Sequence, residues 1–286
     1  MRRSTVLLRS RQRGLSIIEV LVSLVIGLVV VGAVLLSYVT SGQTNKLQAA
    51  YAQMNEDAQV GLLILSRDLQ LAGYAQPTSL DAVTFQFGRT YSGSAVFGCD
   101  TGFVSASTTG NVACAAAGAS PAIEVVYEGD ITNTVEHSSG RPSDCLGAAL
   151  TQQTVGLTDF YVTYNRYYVA TSTLGRPELH CASKLGNTGG ALVDNVENMK
   201  IWYGEANPID KRQIVRYVSA ANVLDPTFGH VVSVRVCLMM RSAEPVLSAE
   251  DPATYLDCDS VSQTSADRFA RRAYFTTTAL RNKMTF

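Results

Sequence analysis

The chain has 286 residues, 47% of them hydrophobic and 16% charged, with a formal charge of −1. Its first 14 positions hold five of the 23 basic residues and none of the 24 acidic ones, so the remainder is acidic by about six charges and bulk electrostatics give no support for nucleic-acid binding. All six cysteines lie beyond residue 98, an even number that favours three disulfides in an oxidising compartment over metal or redox chemistry.

Residues 1–14 are basic through Arg2, Arg3, Arg9, Arg11 and Arg13, and they end at Gly14. From Leu15 to Val39 the only charge is Glu19, in a run long enough, at ~1.5 Å per helical residue, to cross a bilayer core. Positive charge ahead of the run holds the N-terminus in the cytoplasm and sends the chain beyond Val39 across the membrane. A carboxylate inside such a run costs roughly 2.5–3.5 kcal/mol on insertion scales, which marks Glu19 as functional. No Ala-x-Ala cleavage pattern stands directly after Val39, so an ordinary secretory signal does not fit; an uncleaved single-pass anchor does. Basic leader, Gly14, apolar residue and Glu19 together resemble the class III signal of type IV prepilins and type II secretion pseudopilins. That resemblance implies cleavage by a prepilin peptidase between Gly14 and Leu15, N-methylation of Leu15, and Glu19 as an assembly residue.

The next stretch, Ser37 to Gly73, contains no proline, and Leu47, Tyr51, Met54, Ala58, Leu62, Leu65, Leu69 and Ala72 recur at three- and four-residue steps. They form one apolar stripe, with Gln43, Lys46, Asn55, Glu56, Gln59, Ser66 and Gln70 opposite it. The simplest reading is one helix from about Leu15 to Ala72, roughly 85 Å long, ended by a left-handed Gly73 and kept from continuing by Pro77. Within it, Arg67-Asp68-Leu69 and Ala72-Gly73-Tyr74, preceded by Asn55-Glu56, resemble PilW-type minor pilins, with J-class type II pseudopilins sharing a looser form. Arg67 and Asp68 point about 100° apart and do not pair with each other; their expected partners lie on the head or at the helix-to-sheet joint.

Beyond Pro77 the helical period gives way to short β-branched and aromatic runs: Val83–Phe87, Ala122–Tyr127, Phe160–Tyr164, Lys200–Tyr203, Val231–Arg241 and Arg272–Leu280. The clearest is Val231–Arg241, where Val232, Val234, Val236, Leu238 and Met240 are predicted to cover a core while Ser233, Arg235, Cys237, Met239 and Arg241 face the other way. Gly88–Gly118 and Leu185–Gly190 read as surface loops.

Six cysteines allow 15 connectivities. Nearest-neighbour pairing, Cys99 with Cys114, Cys145 with Cys181 and Cys237 with Cys258, is the expectation, and the others stay open. His137, His180 and His230 lack metal-ligand spacing, and no nucleophile elbow, phosphate loop or dinucleotide fingerprint occurs. Glu205, Asn207 and Asp210 offer oxygens, but Lys211 and Arg212 oppose a cation. The reading is a non-enzyme with no catalytic residues, metal or cofactor. Arg268, Arg271, Arg272, Arg281 and Lys283 interleave with Phe269, Tyr274 and Phe275, a pattern that tracks a nucleic-acid strand or simply marks the wet face of a terminal β-strand.

Asp144-Cys145-Leu146-Gly147, Leu192–Gly204, Val232–Val236 and Thr276–Asn282 are again similar to the PilW head, so the resemblance runs nearly end to end. It implies an α+β, type IV pilin-like fold in which a long N-terminal helix packs on an antiparallel sheet head with disulfide-bonded loops. The implied organisation is a leader over 1–14, a transmembrane helix over 15–39, its amphipathic continuation over 40–73 and a β-rich head over 74–286. The implied role is that of a minor pilin in a priming or tip complex that starts type IV pilus assembly and so supports twitching motility and adhesion. A minor pseudopilin of type II secretion, or a pilin whose head binds DNA or a surface ligand, are the alternatives. Implied partners are prepilin peptidase, other minor pilins and the major pilin, the inner-membrane assembly platform and a tip adhesin, but not nucleic acid. The implied location is the inner membrane of a Gram-negative bacterium, single-pass with a periplasmic head, and then the pilus.

Overall fold

The structure is a computed structural model and describes residues 14, 16–80, 87–118, 120–207, 209–210, 213–248 and 253–283. Helix α1 runs from Ile17 to Leu71, 55 residues without a proline or a break. The chain divides into two compact units between Gln48 and Ala49, inside this helix. In the first unit no residue of the helix is buried, and Ile17, Leu24, Leu28 and Leu35 are all more than half exposed. It is the one helix among the described residues that is long and apolar enough to cross a membrane.

In the second unit the helix buries Met54, Ala58, Gly61, Leu65, Asp68 and Leu69, the three- and four-residue spacing of one face. Gly61 permits a close approach, since a Cβ there would lie 2.9 Å from Leu238 Cδ1. The helix ends as its sequence predicts, with Gly73 at φ 74°. Its end is tied to the head by hydrogen bonds: the Gly73 amide donates to Val126 at 2.8 Å, and Asn282 Nδ2 donates to the carbonyls of Gln70 and Leu71 at 3.1 and 3.2 Å.

The head is antiparallel throughout its described pairings. Its strands are β1 (Pro77–Leu80), β2 (Phe87–Arg89), β3 (Val96–Cys99), β4 (Ala122–Glu128), β5 (Gln152–Val155), β6 (Thr158–Thr171) and β7 (Pro177–Ser183). They continue with β8 (Gly190–Asp194), β9 (Val196–Ala206), β10 (Ile214–Val218), β11 (Val231–Arg241), β12 (Ala253–Leu256), β13 (Ser262–Ser265) and β14 (Arg271–Ala279). One sheet has the order β3-β4-β6-β7-β8, with β5 paired to β6; a second has the order β10-β9-β11-β14; β1-β2 and β12-β13 are two-stranded ribbons. The α+β arrangement is therefore one long N-terminal apolar helix, antiparallel sheets and disulfide-bonded loops.

Three expectations need correction. Gly88–Gly118 is more than a surface loop, because it contains β3, whose Val96 and Cys99 are buried against β4. The second face of β11 is covered too: only Arg235 is exposed, while Ser233 lies under Tyr217, Cys237 is bonded to Cys258 and Met239 lies beside the β12-β13 ribbon. On the helix, Asn55 and Ser66 are not on a wet face. Tyr274 Oη donates to Asn55 Oδ1 at 2.5 Å, and Ser66 Oγ lies 3.3 and 3.2 Å from the hydroxyls of Thr276 and Thr278. Most of the strand expected at Val83–Phe87 lies outside the described residues; Phe87 opens β2.

Candidate functional site

At the N-terminal end, Gly14 and Ser16 are exposed, while Leu15 and the arginines of 1–13 lie outside the described residues. The helix starts with the amides of Glu19 and Val20 donating to the Ser16 carbonyl at 3.0 and 3.2 Å. Glu19 stands in the first turn, exposed, and its carboxylate has no hydrogen-bond or ion-pair partner among the described residues. A carboxylate in the first turn is favoured by the helix dipole, but a charge placed at an apolar surface remains available to a cation from elsewhere.

The other carboxylate of this helix, Asp68, has the opposite environment. It is buried in the head, where it accepts from Tyr127 Oη at 3.1 Å, Asn165 Nδ2 at 2.6 Å and Tyr167 Oη at 2.5 Å. Burial pushes its carboxyl above the usual carboxylate range, against the three donors, which act to lower it. Burial likewise pushes the Tyr127 and Tyr167 phenols up, which keeps them protonated as donors. Asp68 thus ties α1 to β4 and β6 at the joint. Arg67 is beside it in sequence and reaches the Asn133 carbonyl at 3.5 Å.

Sequence reasoning missed a second buried centre. Arg166 is fully buried on β6, pairing through Nε with Glu124 of β4 at 2.6 Å. Its remaining nitrogens donate to the carbonyls of Ala106, Thr108 and Gly110 at 2.9, 2.5 and 2.8 Å. One guanidinium thereby organises the loop closed by the Cys99–Cys114 disulfide, whose orphan carbonyls need donors. The available signal was an arginine inside the β-forming run Tyr164-Asn165-Arg166-Tyr167, with aromatics on both sides.

The cysteines pair as Cys99–Cys114, Cys145–Cys181 and Cys237–Cys258, with Cα separations of 5.2, 6.4 and 5.9 Å, and no cysteine is free. The basic cluster near the C-terminus is not a free strip. Arg271 is held by Glu197 and Asp267, each 2.5 Å away; Arg268 Nε donates to the Leu247 carbonyl at 2.8 Å; Arg272 lies over the Tyr274 ring. His180 pairs with Glu178, His137 with Ser139, and the Glu205 carboxylate is taken by Arg216 and the Leu224 amide. No group of three His, Cys, Asp or Glu among the described residues is arranged to hold a metal.

Residues 166–282 match the family model described as Type IV Pilus-assembly protein W, and residues 9–35 match the prokaryotic N-terminal methylation motif. The chain is PilW-like in its head and prepilin-like at its N-terminus. The first match starts at Arg166 and ends at the helix-capping Asn282, so it covers all of the β10-β9-β11-β14 sheet but only the end of β6 with β7 and β8 in the other; the second includes Gly14, Leu15 and Glu19. Pilins are structural rather than enzymatic proteins, and a prepilin-like motif running into an apolar helix is a membrane-anchoring arrangement of pilus systems. No curated protein matches the chain. Among solved structures, the type IV-like pilin TTHA1219 from Thermus thermophilus is similar over 82% of this chain and 98% of that one, at 11% identity and a TM-score of 0.40, too distant to carry an argument.

Proposed function

We propose that this protein is a minor pilin that joins a priming or tip complex and helps to start type IV pilus assembly, thereby supporting twitching motility and adhesion. The observation that carries the reading is the presence on one chain of PilW-family sequence and of the N-terminal methylation motif. In this reading 1–14 is removed as leader by prepilin peptidase, which cuts after Gly14. Leu15 becomes the methylated N-terminus, 15–39 spans the inner membrane of a Gram-negative cell, 40–73 continues the helix, and 74–286 forms the periplasmic head. Other minor pilins, the major pilin, the inner-membrane assembly platform and a tip adhesin are its partners.

Glu19 supplies the assembly chemistry. When the helix enters a bundle of similar apolar helices, the amine on Leu15 of this or a neighbouring subunit would otherwise be an unpaired charge in a medium that solvates it poorly. The Glu19 carboxylate neutralises it. Glu19→Ala is expected to insert and be processed normally but to support little surface piliation. Normal piliation would remove the electrostatic role. Deletion of the whole chain should abolish twitching while leaving exoprotein secretion intact; loss of secretion alone would select a type II pseudopilin instead.

A further inference from the structure

The sheet β10-β9-β11-β14 has two unlike faces. Val236, Leu238, Tyr274 and Thr276 turn toward the head portion of α1, while the register places Lys200, Trp202, Arg235, Phe275 and Thr277 together on the other side. On that outer face the rings of Trp202 and Phe275 stack with centroids 6.5 Å apart and an interplanar angle of 27°. The Arg235 guanidinium lies 5.5 and 5.0 Å from their centroids. Tyr217 extends the row across Gly204, with its hydroxyl 3.2 Å from Ser233 Oγ.

Charge pairing on this face is uneven. Lys200 is engaged by Asp259 at 2.5 Å. Arg235 is exposed and has no carboxylate or hydrogen-bond partner among the described residues. Two aromatic rings therefore hold a planar cation in place while its N–H donors remain unspent, so much of the side-chain ordering that recognition requires is already done. At Lys200 and Asp259 the face meets a groove of about 970 Å³. Its walls are the loop of the Cys99–Cys114 disulfide and the β12-β13 ribbon stapled by Cys237–Cys258, and its lining includes Ser105, Tyr168, Asn198, Tyr255 and Gln263.

We propose that this platform and groove bind an acidic polysaccharide. The C–H faces of sugar rings stack on Trp202, Phe275 and Tyr217; a uronate carboxylate meets the Arg235 guanidinium; sugar hydroxyls exchange hydrogen bonds with the groove lining. The number of cations selects among polyanions. A nucleic-acid strand carries a phosphate on every nucleotide and is held by several unpaired lysines and arginines. Between Tyr217 and Phe275 this face has, among the described residues, one such cation set among three aromatic rings, which fits a polymer whose charges are separated by uncharged ring faces.

Trp202 is the only tryptophan in the chain, so intrinsic fluorescence reports on this face directly. The full chain in detergent micelles is titrated with oligogalacturonate of defined length, with its neutral methyl ester, and with oligo-dT. The expected result is a saturable change in Trp202 emission with oligogalacturonate, weakened at least tenfold by Arg235→Gln, by Phe275→Ala and by methyl esterification, while near-UV circular dichroism shows both variants folded. Absence of a saturable change, or an Arg235→Gln affinity equal to that of the native chain, overturns the proposal. Tighter binding of oligo-dT with a steep salt dependence also overturns it and assigns the face to nucleic acid.

Discussion

The two carboxylates of α1 occupy contrasting regions of one helix. Glu19 lies where no helical residue is buried, although Leu24, Leu28 and Leu35 beyond it are strongly apolar. Asp68 lies where Met54, Ala58, Leu65 and Leu69 are buried, and it is met by three donors from the head. The same secondary structure therefore serves two solvents. The first region is complementary to something outside the chain, such as lipid or other apolar helices, because exposing so much apolar surface to water is costly. The second is complementary to the chain's own sheets, and there the polar group is the specific feature while the apolar residues supply burial.

The sharpest break of this comparison is Asp68→Ala. It leaves the Tyr127 and Tyr167 hydroxyls and the Asn165 amide without their acceptor, and at roughly 1–3 kcal/mol for each buried orphan the head should lose about 3–9 kcal/mol. Urea unfolding of the full chain in micelles, monitored by tyrosine and Trp202 signals, measures it; a loss under about 1 kcal/mol would mean that the joint does not depend on this carboxylate.

A matched pair of leucine truncations tests the apolar side. Leu65→Ala should cost about 2–5 kcal/mol, because Leu65 is fully buried, whereas Leu28→Ala should leave head unfolding unchanged within about 0.5 kcal/mol. Equal effects at the two positions would erase the distinction between the regions.

The smallest effect is a slope with pH. The Asp68 carboxyl is raised in the folded head by burial, so the folded state binds more protons than the unfolded state above the ordinary carboxylate value of 3.8. Its contribution is therefore fully present below that value and declines as pH rises through the folded pKa. Asp68→Asn should flatten this part of the stability profile while keeping a carbonyl acceptor in place. An unchanged slope in the variant would assign the pH dependence to other groups.

Much of the helix is legible without its tertiary partners. Periodicity places Met54, Ala58, Leu65 and Leu69 on one face, and Gly73 with Pro77 marks its end, because these signals depend on residues close in sequence. Strand β11 is legible over all of Val231–Arg241 for the same reason. Its second face is not: Ser233 and Cys237 read as polar and outward by alternation, yet a tyrosine from β10 and a disulfide cover them. Asn55 and Ser66 are misplaced in the same way, since their hydrogen-bond partners come from β14, more than 200 residues later.

By itself the sequence determined the local and compositional features: a basic N-terminal stretch, an apolar run with one carboxylate, an amphipathic continuation, strands of the right period and an even set of cysteines. Those depend on transfer free energies and backbone geometry that act over a few residues. Tertiary structure alone decided that Asp68 is buried among tyrosines, that Arg166 holds three loop carbonyls, that Arg271 is neutralised while Arg235 is not, and that Trp202 and Phe275 meet across β11. Hydrogen bonds and charge pairs between distant residues depend on sheet register and on which loop covers which face, and alternation within a strand carries no record of either.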